Sequence, residues 1–142
     1  MQSNKSIDAP AARRAGFPWW LPVGDWLVLL LFVFIGQRDH NMTGAAALPS
    51  LLTTTLAVAL PWTVAAALLG AYRLETSTGW QPWIGRALNA WLVAAPLGLV
   101  LRALLRGQGA IPLPFILVML GLGGLFVLAW RAVAFWLGRR AR

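Results

Sequence analysis

Cysteine does not occur in this 142-residue chain, which excludes disulfides, thiolate catalysis, iron–sulfur clusters and cysteine-based zinc sites. Histidine occurs once, as His40. Transition-metal sites normally recruit several such ligands, so no metal centre is expected. There is no glycine-rich phosphate loop, and Ser50, Thr53, Thr54 and Thr55 have no general base nearby apart from the distant His40. Nucleophilic catalysis has no visible machinery here, and the sequence predicts a protein that is not an enzyme and carries no cofactor. Charge is also scarce. Charged residues make up 11% of the chain, against about 25% in a soluble domain. A soluble surface with half the usual charge would be too poorly solvated, so the apolar excess must face lipid.

What the chain has in abundance is apolar length, with 59% hydrophobic residues and a mean hydropathy of +0.69. The expected fold class is all-α, a four-helix transmembrane bundle in one compact domain with no separate soluble module. Residues 1–16 are polar, Ala/Ser-rich and basic (Lys5, Arg13, Arg14) and read as a disordered tail. Residues 17–138 form the expected membrane domain, followed by a short basic tail over 139–142. The predicted spans are 22–41, 49–71, 85–105 and 112–138. The apolar centre of the first, Trp26–Ile35, is short, so its flanks must be helical for it to cross. Pro22, Pro49 and Pro112 open three of the spans, where a missing N–H has no partner to lose. Pro61 and Pro96 fall mid-span and should kink their helices, and the long fourth span should tilt. Short loops make neighbours antiparallel. Arg13-Arg14, the apolar run and Ala45-Ala46-Ala47 also fit a cleavable signal peptide. Asp25 at the head of the run, and the distance from Ile35 to the alanines, favour a retained helix.

The net charge of +8 does not indicate nucleic acid, because the basic residues sit at the ends of apolar runs and form no single face. They indicate orientation instead. With four spans, nine of the twelve Lys and Arg residues share a side with both termini, and only Arg38, Arg102 and Arg106 lie opposite. The rule that cationic loops stay inside predicts cytoplasmic termini in an inner membrane. That face would meet anionic lipid headgroups. All tryptophans except the deeper Trp62 fall toward it.

A shift of 65 residues aligns Trp26-Leu27-Val28 with Trp91-Leu92-Val93, Gly44-Ala45 with Gly109-Ala110, and Leu48-Pro49 with Leu113-Pro114. A duplicated helix pair would give two parallel two-helix repeats about an axis along the membrane normal. Chance matching among Leu, Ala and Val is the alternative. Small residues four apart, Ala90, Ala94 and Gly98 on the third span and Ala59, Thr63, Ala67 and Ala71 on the second, predict close helix approach. The approach would be within the chain or in a homo-oligomer or larger membrane complex. Gly121, Gly123 and Gly124 would serve the fourth span similarly, or loosen it.

Ionisable groups inside spans are costly and normally have a partner or face water. Their depths predict two clusters. Asp25 would pair with Arg131 or Arg86, near Asn89, and Asp39 or His40 would pair with Arg102, near Arg38. One reading makes these a proton or ion path or a lipid-headgroup site. The plainer one has them staple helix ends and reach the interface. Asp39 beside His40 would also tune that histidine toward pH sensitivity.

Several of these residues carry a family resemblance. Gly24-Asp25 before an apolar run, Phe32 and Gly36-x-Arg38-x-His40 are similar to the opening of small prokaryotic membrane proteins grouped as domain of unknown function 3054. Trp91, Pro96-Leu97-Gly98-x-x-x-Arg102, Pro114-Phe115 and Trp130-Arg131 resemble its later blocks. The resemblance covers about residues 20–135 and implies a four-helix membrane protein with no established activity. The leading functional expectation is a non-enzymatic accessory, scaffold or assembly subunit. A small transporter or channel using Asp25, Arg102 and Arg131 comes second, and a lipid-modifying enzyme using His40 and Asp39 third.

Overall fold

The computed structural model describes residues 18–39, 44–73 and 79–140. Four helices account for nearly all of them: α1 (Trp20–Asp39), α2 (Ala47–Leu68), α3 (Trp80–Leu105) and α4 (Leu113–Arg140). Each is long and apolar enough to cross a membrane. At about 1.5 Å per residue even α1 reaches about 30 Å, the thickness of a hydrocarbon core. The chain is a multi-pass membrane protein. The expected tail at 1–16 lies outside the described residues, as do His40 and the Asp39 side chain.

Proline marks the start of every helix. Pro22, Pro49 and Pro82 are the third residues of α1, α2 and α3, and Pro114 is the second of α4. All four fall in the first turn, where the absent N–H breaks no helical bond. The true start signal of α3 is thus Pro82, and the helix begins five residues before the predicted Gly85. At its other end α4 continues through Arg139 to Arg140, which places half of the expected basic tail in helix.

The helices form a ring in sequence order, each packed on the next, with α4 closing against α1. The tightest seam joins α2 and α3. It is built from small residues: Ala87, Ala90, Ala94 and Gly98 of α3 are buried, facing a side of α2 that includes Ala57, Val58 and Ala59. A Cβ at Gly98 would stand 3.2 Å from the Ala57 carbonyl oxygen and the Val58 Cα. Pro61 deprives that same carbonyl of its helical N–H, so the kink residue and the close approach coincide. The predicted α3 stripe therefore packs within the chain. On α2 the predicted line fails at Ala67, which is exposed, and the packing face runs instead through Thr54, Val58, Trp62, Ala65 and Ala66. Large side chains such as Leu27, Leu60, Leu92 and Leu117 point outward, as lipid permits.

One turn of α4, Met119–Gly123, is a π-helix. Gly123 and Gly124 there take the Trp91 indole against bare backbone, and Trp91 Nε1 donates to the Leu120 carbonyl at 3.0 Å. Trp26, which the 65-residue shift aligns with Trp91, likewise donates from its indole to the following helix, at Thr63 Oγ1 and 2.9 Å. The two halves share this motif, while the π turn belongs to the second half alone among the described residues.

Candidate functional site

Asp25 of α1 and Arg131 of α4 meet in the bundle interior, and both are fully buried. The contact is side-on and bidentate: Arg131 Nε donates to Asp25 Oδ1 at 3.1 Å and Nη2 to Oδ2 at 2.6 Å. Such forked, charge-assisted bonds are the strongest form of this pairing. Two further donors complete the carboxylate. Trp62 Nε1 of α2 reaches Oδ2 at 2.9 Å, and the Tyr72 hydroxyl, just beyond α2, reaches it at 3.0 Å. The third guanidinium nitrogen, Nη1, donates to the Ala71 carbonyl at 2.5 Å. Trp83 Nε1 of α3 donates to the Arg131 carbonyl at 2.9 Å. All four helices thus converge on one network. The guanidinium also lies against the rings of Tyr72, Trp62 and Trp83, with centroids at 4.9, 5.4 and 5.9 Å. Aromatic faces are one of the few environments that favour a cation away from water.

Local backbone features deliver these groups. Gly24 leaves room for Trp130: a Cβ there would sit 1.9 Å from the indole ring. The Gly24-Asp25 and Trp130-Arg131 pairs therefore interlock, ring on glycine and guanidinium on carboxylate. Behind α2, Gly70 adopts φ 70°, with Ala71 N–H bonded to the Ala66 carbonyl and Gly70 N–H to that of Ala67. This left-handed helix stop turns the chain back, aiming the Ala71 carbonyl and Tyr72 at the pair. Burial raises the Tyr72 phenol above its ordinary range, and the neighbouring Asp25 charge adds to it. The hydroxyl stays protonated and able to donate.

The structure thus selects Arg131 from the two predicted partners of Asp25. Both side chains are enclosed by protein, and their bonds staple the helices from inside the bundle. Arg86 is half-buried on α3 and Asn89 is exposed. The sequence reading missed Tyr72, Trp62 as a donor, and Trp83. One signal was present: Tyr72 is the only tyrosine and stands two residues after Gly70.

At the opposite end, Arg102 does not face a described carboxylate. It bonds Gln108 Oε1 at 3.1 Å and lies 4.1 Å from the Phe115 ring centroid. Its predicted partners, Asp39 through its side chain and His40, fall outside the described residues. Arg38 is exposed, with its guanidinium 5.8 Å from the Phe34 ring. Arg106, one turn beyond Arg102, donates to Ser50 and to Thr54 at 3.3 Å, and Gln37 donates to Ser50 at 3.0 Å. Gly107, at φ 60°, stops α3 with the same paired bonds as Gly70 and sets Gln108 beside Arg102.

A family model described as "Protein of unknown function (DUF3054)" matches residues 22–134, which include both halves of the buried pair. No curated protein and no solved structure matches the chain.

Removing one member of the pair should cost about 3–5 kcal/mol, because it strands the other charge in an apolar interior. Thermal unfolding in detergent should therefore show Asp25→Ala and Arg131→Met each strongly destabilised, with the double variant less so than the sum. Additive losses would mean that the two side chains do not act together. Tyr72 offers a separate test, because it alone supplies tyrosinate absorbance. A proton held more tightly when folded stabilises the protein fully below about pH 10, the ordinary phenol value. That contribution is lost as pH climbs past it. The absorbance should stay absent in the folded protein at that pH and appear on unfolding; ordinary titration in the folded state would contradict the buried bond.

Proposed function

The chain belongs to the DUF3054 family, and from that premise we propose that it is a non-enzymatic accessory, scaffold or assembly subunit of a prokaryotic cytoplasmic membrane. The observation that carries this reading is the closure of the Asp25–Arg131 network. Asp25 is wholly buried, and its carboxylate is occupied by four protein donors. A transported ion must displace or protonate such a group from water, and here the bonds tie four helices into one shape. A rigid small bundle with a tryptophan-rich end suits a part that other proteins or copies pack against. Retention of the first span is part of the proposal, since its cleavage would leave Arg131 without the carboxylate.

A small transporter or channel is the second reading. It is favoured by the mid-helix prolines Pro61 and Pro96 and by the π turn of α4, which give the bundle places to flex. Extraction of the full chain in mild detergent and native mass spectrometry should find a second polypeptide in fixed stoichiometry. A lone monodisperse oligomer would count against the accessory role. Liposome flux that disappears in Asp25→Asn but persists in His40→Ala would establish transport instead, and lipid turnover abolished by His40→Ala would establish an enzyme.

Orientation belongs to the same proposal: the Asp25–Arg131 end, with both termini, faces the cytoplasm and its anionic lipid. The lack of native cysteine makes this simple to check. In intact cells an impermeant maleimide should label Gly109→Cys and should label Arg140→Cys only after lysis. The reverse pattern would invert the topology.

A further inference from the structure

The end of the bundle away from the ion pair is open. There α1, packed on the Gly124–Arg140 part of α4, shares the lining of one space with the Leu113–Val118 segment. Between them lies a cavity of about 420 Å³, within the usual size of small-molecule sites of about 300–1,000 Å³. Its walls are mainly apolar, including Phe32, Gly36 and Val118, while Arg102, Arg106 and Gln37 gather at the polar part. The two arginines stand one helical turn apart on one face of α3 and its cap. Their described partners, Gln108, Ser50 and Thr54, are all uncharged. Arg102 Nε is itself buried and has no acceptor. Two cations at the edge of an apolar space, with a donor left over, lack only an anion.

We propose that this cavity binds one anionic phospholipid, entering sideways between α1 and α4. Its phosphate would accept from Arg102 and Arg106, and the start of an acyl chain would lie against Phe32 and Val118. Charge complementarity selects the headgroup, and the apolar walls open toward lipid select the tail. Basic pockets between transmembrane helices bind anionic headgroups at cytoplasmic faces, and the same charge attraction applies at this end. This site lies opposite the face that carries most of the basic residues, and it does not depend on the accessory reading.

Gly36 supplies a further test. It lines the cavity, and a Cβ there meets nothing within 4 Å, so Gly36→Leu adds bulk at the wall without a clash at Cβ and without changing charge. The delipidated full-length protein, titrated in detergent with phosphatidylglycerol or phosphatidylcholine of matched chains, is read by native mass spectrometry. One phosphatidylglycerol should be retained, on the order of tenfold more tightly than phosphatidylcholine, whose phosphate is the same but whose choline cation would meet the two arginines with like charge. Arg102→Gln with Arg106→Gln should abolish that preference, and Gly36→Leu should weaken retention of the lipid. Arg139→Gln with Arg140→Gln should leave both unchanged. Glycerol phosphate should not displace the lipid at comparable concentration. Equal retention of both lipids, or wild-type retention in Gly36→Leu, would overturn the proposal. Full displacement by glycerol phosphate would reduce the site to a free-anion site and overturn it equally. If the double-glutamine variant does not fold, the Gly36→Leu result decides alone.

Discussion

A carboxylate enclosed among membrane helices is tolerable only if its charge is answered in place, and Asp25 sets that condition for this bundle. Arg131 supplies the charge, and the indole of Trp62 and the phenol of Tyr72 occupy the remaining acceptor capacity. Much else follows from satisfying one group. Gly24 must be small so that Trp130 can lie flat and bring Arg131 to depth. Gly70 must be left-handed so that the chain returns with Ala71 and Tyr72 facing inward. Trp83 fixes the arginine's own backbone from α3. A buried ion pair is weak evidence for net stability, since desolvation offsets its attraction. Its contribution here is geometric, because its bonds link all four helices at one point.

The two ends of the bundle consequently differ in kind. At one, the Asp25 carboxylate is engaged by four protein donors and aromatic rings fill the space between helices. At the other, two arginines are answered only by uncharged side chains, and the walls separate. The change occurs across the π turn of α4. Below it, the glycine backbone admits the Trp91 ring and holds α4 against the bundle. Above it, the Leu113–Val118 segment has no buried residue.

The helices were legible in the sequence because apolar runs of membrane length admit few other structures. Asp25 and Arg131 were legible for the same energetic reason: their burial is expensive, and matched depth makes them partners. Registration within the helices was not. The Ala59–Ala71 line obeys the spacing of a packing face, yet Ala67 faces outward, since Pro61 and the Gly98 contact decide which side of α2 meets α3. Asn89 has a depth similar to that of Asp25 and is exposed. The Tyr72 contact depends on the turn after Gly70, and the π turn depends on where the Trp91 N–H arrives. Neither is a property of local composition. The start of α3 lies five residues before the predicted Gly85 because Pro82 falls in its first turn, where a helix accepts proline.

The partners in the central ion pair lie 106 residues apart, on the first and last helices. This separation has a bearing on biosynthesis. The ribosome delivers α1 to the membrane long before α4 exists, and no residue of α2 or α3 brings a guanidinium to Asp25 in the finished fold. Until then Asp25 has only the neutral donors of Trp62 and Tyr72 to meet it, and the last helix supplies the charge. A chain that stops before residue 131 carries a mark of its own incompleteness in its first span, legible to any quality-control machinery that surveys the bilayer for unpaired charge.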